Sequence, residues 1–125
     1  MTSKSKMWLQ WLLIMILSFQ FVGAAIAKLM GQMCEHFMSN GFSYEFMMFI
    51  GYLEVLSVVG LLFSKFRVKA SLVQMIIMCG AIYTHLPAHQ YLMTLVCISN
   101  IGFSSIIIWA ELEKKYFSDE MLVRQ

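Results

Sequence analysis

Few side chains in this sequence can move a proton or hold a charge away from water, and each sits at an unusual place. Glu54 interrupts an apolar run over 46–64, His85 lies at the end of another over 70–86, and Lys28 follows a third over 7–27. A carboxylate taken out of water either stays protonated or ionises beside a cation, and either form serves proton transfer or grips a polar headgroup. His85 adds a ring that titrates near neutrality, and Lys28 adds a cation on a flexible stem that reaches inward or snorkels to the headgroups. The structural alternative is a salt bridge or hydrogen bond that sets helix register, or, for His85, an ordinary, partly hydrated histidine near the interface. Gln74 and Asn100 suit hydrogen bonds between helices, worth about 1 kcal/mol each in lipid; Gln20 and Ser104 are the corresponding polar residues of their runs.

Other chemistry finds little support. Cys34, Cys79 and Cys97 form no CxxC pair, and His36, His89, Glu35 and Glu45 between the runs have no metal-ligand spacing, so no metal is expected. Met47, Met48, Met75 and Met78 read as adaptable packing rather than copper ligands. With no obvious nucleophile or nucleotide loop, a subunit or binding protein is expected before an independent enzyme, although whether the chain is an enzyme stays open.

The elements that carry these groups follow from composition. The chain has 125 residues, 60% hydrophobic and 13% charged, with a mean hydropathy of +0.73. A soluble domain runs at about 45–50% apolar and about 25% charged, so soluble nucleotide-binding folds and secreted disulfide scaffolds are excluded. Nucleic-acid binding is excluded too, because nine Lys and Arg are scattered at the edges of apolar runs and balanced by seven Asp and Glu. One proline and no alternation of apolar with polar residues argue for helices against a β-barrel.

Four spans are predicted, at 7–27, 46–64, 70–86 and 91–109, forming one all-α, antiparallel four-helix membrane bundle. Pro87 closes the third, and the tail after Trp109, with Tyr116 and Phe117, reads as an interfacial anchor. Lys4, Lys6, Lys65, Arg67, Lys69, Lys114, Lys115 and Arg124 fall on one side and only Lys28 on the other, which places both termini in the cytoplasm. Ala25-Ile26-Ala27 imitates a signal-peptide cleavage site, but the apolar run before it exceeds the usual length of about 7–15 residues, so the first span is expected to be retained.

Helical spacing gives each span an inward stripe: Gln20 with Ala24 and Ala27; Glu54 with Gly51 and Val58; Gln74, Met78, Ala81 and His85; and Cys97, Asn100 and Ser104. These predict a left-handed bundle with a semi-polar seam, in which Gly23, Ala27, Gly51 and Gly60 allow close packing. Glu54 lies eight residues from Phe46, about 12 Å from the outer end at helical rise. Glu54, His85 and Lys28 therefore converge in the outer half.

A first helix ending Phe21-Val22-Gly23-Ala24-Ala25-Ile26-Ala27-Lys28-Leu29, a second reading Gly51-Tyr52-Leu53-Glu54-Val55-Leu56-Ser57-Val58-Val59-Gly60-Leu61-Leu62, and a basic turn before a third helix ending near a histidine resemble the DoxX family and its DoxX-like branches. Gly-x-x-Glu followed by Gly-Leu is the most specific part, and the resemblance covers most of the chain. It implies a protein of the bacterial inner membrane. Relatives are linked to sulfur-compound oxidation coupled to quinone, to oxidative-stress complexes and, in an animal branch, to receptor-assembly chaperones. Lys28, Gly51, Glu54, Gly60 and His85 match its recurring positions. Its spans hold no paired cysteines or recognisable haem ligands, so a partner subunit would supply redox chemistry.

Three functions follow as expectations. One is an accessory subunit of a redox-linked complex that binds a quinone or lipid headgroup near Glu54 and His85. Another is a proton or small-solute permeation protein using the same carboxylate and histidine. The third is a scaffold or assembly chaperone that presents the small-residue face around Gly23 and Ala27. Partners are the lipid bilayer, a redox subunit or a second copy of the chain.

Overall fold

A computed structural model describes residues 3–124, and among these the chain forms helices and short connections with no strand. Four long helices, α1 (Ser3–Leu29), α3 (Tyr44–Leu62), α4 (Arg67–His85) and α5 (Tyr91–Arg124), are each long and apolar enough to cross a membrane. A short helix, α2 (Cys34–Ser39), stands between α1 and α3, and one 3-10 turn (Ser64–Phe66) joins α3 to α4. This is the all-α, four-span bundle that the apolar runs predict.

The helices pack in chain order around one core: α1 on α3, α3 on α4, α4 on α5, with α5 closing against α1. Short connections force successive helices to run antiparallel. The start of α1 and the end of α5 therefore lie at one end of the bundle with the 3-10 turn, while α2 and the α4–α5 hairpin lie at the far end. Leu13, Ile14, Leu17, Phe21, Leu61, Ala70, Ile77 and Ile107 form the apolar core. Most large apolar side chains point outward instead, among them Phe19, Ile76 and Leu92, as befits a surface solvated by lipid.

The helix boundaries depart from the predicted spans in three places. The connection over 28–45 contains α2, framed by Gly31 (φ 79°) and Gly41 (φ 83°), whose left-handed backbone reverses the chain on either side. Ser43 then caps α3 by accepting a hydrogen bond from the Phe46 amide. The tail with Tyr116 and Phe117 continues the last helix past the predicted end of the span, because α5 runs unbroken for 34 residues to Arg124. Finally, the buried face of α1 follows Gln10, Ile14, Leu17, Phe21, Ala25 and Lys28. Gln20, Ala24 and Ala27, each half-buried, flank that face rather than centre it, and Phe21 and Ala25 take the fully buried positions beside them.

Candidate functional site

At the far end of the bundle, the last turn of α1 lies against the first half of α3. Gly51 makes this approach possible: a Cβ there would stand 3.2 Å from Leu29 Cδ2 and 3.4 Å from Lys28 Cβ. Glu54 lies three residues further on the same face, and Lys28 Nζ donates a hydrogen bond to its Oε1 at 2.9 Å. Only 8% of the Lys28 side chain and 1% of the Glu54 side chain is exposed, so the pair is withdrawn from both water and lipid. Oε2 of Glu54 is buried without a hydrogen-bond partner among the described residues. The predicted convergence of Lys28 and Glu54 is thus an ion pair with one acceptor oxygen to spare.

Two histidines cover this end. The His36 ring, carried by α2, stacks on His85 with centroids 4.9 Å apart and planes 22° from parallel. His36 Nε2 stands 3.3 Å from Thr84 Oγ1, and His85 Nδ1 is hydrogen-bonded with Gln90 Oε1. His85 is buried but pairs with Gln90 and His36 rather than Glu54. Burial first, then the charges of His85 and Lys28, hold the His36 ring below its ordinary pKa. Phe37, next along α2, places its ring centroid 6.0 Å from the Lys28 ammonium. His36 looks like a loop residue in the sequence because nothing there signals a six-residue helix folded back over the bundle.

Below the ion pair the interior stays polar. Ser57 Oγ donates to the Glu54 backbone carbonyl at 2.7 Å and accepts from Gln74 Nε2 at 3.1 Å. Asn100 Nδ2 donates to Gln20 Oε1 at 2.7 Å and reaches Met78 Sδ at 3.7 Å. Gln74 Oε1, Asn100 Oδ1, Ser71 Oγ and Ser104 Oγ have no hydrogen-bond partner among the described residues. Of the small residues, Gly60 faces Ala70, whose Cβ would stand 2.9 Å from a Cβ added at Gly60. Ala27 is half-buried, and Gly23 is exposed with nothing within 4 Å of an added Cβ.

A second charged cluster, at the end carrying the termini, went unread in the sequence. Arg67 Nη1 pairs with Glu111 Oε1, and its Nε donates to the Leu61 carbonyl at 2.8 Å. Glu111 also accepts from Gln10 Nε2 at 2.9 Å and from Ser64 Oγ at 3.0 Å. The Arg67 guanidinium lies over the Trp11 ring, 5.0 Å from its centroid. Counting Lys and Arg puts Arg67 among the cations of the cytoplasmic boundary, yet it is buried, as is its partner Glu111. Spacing carried a signal: Arg67 stands seven residues before Gln74, and Glu111 seven after Ser104, which extends both inward stripes by two turns.

The two antiparallel contacts Met78–Asn100 and Arg67–Glu111 have the same register between α4 and α5. That register sets Gln74 level with Ser104. The molecule therefore carries an ion pair near each end and a polar stripe between them, interrupted by Leu61 and Ile107, which are fully buried.

Curated proteins and solved structures return no match to this chain. A family model, however, matches residues 11–107, from the first helix into the last, and takes in Lys28, His36, Glu54, His85 and Asn100. By that match, which coincides with the four packed helices, the chain belongs to the DoxX-like family of membrane proteins.

Proposed function

We propose that the chain is a binding subunit of a redox-linked membrane complex, holding the headgroup of a quinone at the Lys28–Glu54 site. The observation that carries this proposal is the buried ion pair with Glu54 Oε2 left free. A quinone carbonyl requires a donor and a quinol hydroxyl an acceptor. Lys28 and the ring nitrogens of His36 or His85 supply the first, and Glu54 Oε2 supplies the second. The bound quinone would contribute two-electron, two-proton chemistry. The chain's own part is to orient the ring and to hold protons at Glu54 and the histidines. A partner subunit would deliver or accept the electrons. The membrane is the inner membrane of a bacterial-type cell, and the side bearing eight of the nine Lys and Arg is the cytoplasm.

Quinone extracted from protein purified out of a quinone-containing membrane, and quantified by mass spectrometry, tests the site. Glu54→Gln is expected to lower occupancy several-fold in protein that is still folded, with some loss of thermal stability because the buried Lys28 loses its counter-charge. Unchanged occupancy would overturn the assignment.

A second reading, proton handling across the bilayer, draws on the unpartnered Ser71, Gln74, Asn100 and Ser104 oxygens between the two ion pairs. It requires pH-sensitive flux into proteoliposomes that Glu54→Gln abolishes, and flux absent from the wild type would remove it.

A further inference from the structure

On the lipid-facing side, α3 and α4 enclose a groove of about 380 Å³ that starts beside Glu54, at Leu53 and Ser57, and runs toward the 3-10 turn without including Glu54 or Lys28 in its lining. Its floor is small: Ser57 and Ala70 are buried, Gly60 is half-buried, and Gly60 has no room for a Cβ beside Ala70. Its sides are large and exposed, with Leu56 and Val59 from α3, Phe63 just past its end and Phe66 from the turn. Between Leu53 and Phe63 it extends about 15 Å along the helix, within one leaflet.

One end of the groove is basic. Lys69 lines it, and the Lys65 ammonium lies over the Phe66 ring, 5.6 Å from the centroid. Lys6, Arg67, Lys114 and Arg124 at this end of the bundle each have a carboxylate partner. Lys65 and Lys69 are in no ion pair among the described residues, and both are exposed; Lys4 and Lys115 at this end are exposed and unpaired as well, but they lie on α1 and α5, outside the groove lining. Two uncompensated cations at the membrane surface, continuous with an apolar trough running into the leaflet, complement an amphiphile with an anionic head and a hydrocarbon tail. A zwitterionic lipid brings its own cation and leaves the lysines without a net counter-charge. We infer that this groove binds an anionic phospholipid, one acyl chain lying between α3 and α4 and the headgroup held by Lys65 and Lys69.

Native mass spectrometry of the full chain, equilibrated with equal amounts of phosphatidylglycerol and phosphatidylcholine, tests the site. The wild type is expected to retain phosphatidylglycerol preferentially. Lys65→Gln with Lys69→Gln should cut that preference by roughly fivefold per lysine. Val59→Trp, which fills the groove from an exposed position, should lower retention of the anionic lipid with both lysines intact. Thermal unfolding close to the wild type shows that each variant is folded. Equal retention of both lipids by the wild type, a preference that survives the double substitution, or retention unaffected by Val59→Trp would each overturn the inference. Quinone occupancy at Glu54 is unchanged in all of these variants, which separates this groove from the site proposed above.

Discussion

Arg67 and Glu111 illustrate how a buried charge depends on its partner. Their attraction is offset by the desolvation of both groups, so the intact pair adds little net stability, whereas removing one partner strands the other. Glu111→Ala leaves Arg67 buried beneath Trp11 and is expected to destabilise the bundle by about 3–5 kcal/mol. Arg67→Met combined with Glu111→Leu should cost distinctly less, as read by unfolding in detergent. A double variant as unstable as Glu111→Ala would show that the charges themselves hold this end together. His36 offers a test of pH dependence. Its folded pKa lies below the ordinary 6.5, so between those values the unfolded chain binds more protons than the folded one. Stability must then fall as pH drops below about 6.5. His36→Gln should remove that part of the decline, while an identical pH profile would mean that His36 does not contribute to it.

At the scale of elements, α2 depends on the reversals before and after it. Gly31 and Gly41 hold left-handed backbone that a Cβ opposes, so Gly31→Ala or Gly41→Ala is expected to cost about 1–2 kcal/mol. Gly23→Ala, in mid-helix with open space around it, should be neutral or slightly stabilising, and thermal melts of the three variants check the contrast. The four spans were legible because hydrocarbon demands about 20 apolar residues per crossing and tolerates few charges. Lys28 and Glu54 were legible for the same reason: a charge within or ending such a run needs a partner. What lay hidden depended on tertiary contact. No periodicity marks six residues as α2, so His36 read as a loop residue and its stacking on His85 was not foreseeable. Arg67, Glu111 and Gln10 sit where a helix leaves the hydrocarbon, and charge counting cannot distinguish a residue facing water there from one turned into the bundle. The inward side of α1 was legible in Gln20, which bonds Asn100, but not its centre at Leu17, Phe21 and Ala25, because small or polar character alone does not locate it.

For the molecule as a whole, orientation is the most exposed prediction. Eight cations at the end carrying the termini and one at the other predict that reporters fused at either terminus are active only in the cytoplasm. Cys34, the first residue of α2, should in turn react with a membrane-impermeant thiol reagent added from outside. Labelling of Cys34 only after lysis would invert the topology and move the Lys28–Glu54 site to the cytoplasmic side. The unbroken length of α5 has a mechanical implication. Glu111, Glu113 and Lys114 all bond to other helices, and from Lys114 to Arg124 about 15 Å of continuous, mostly exposed helix remains. α5 is thus a post set in the bundle, with its base fixed by buried charge and about three further turns held out as a surface that no other helix bonds among the described residues.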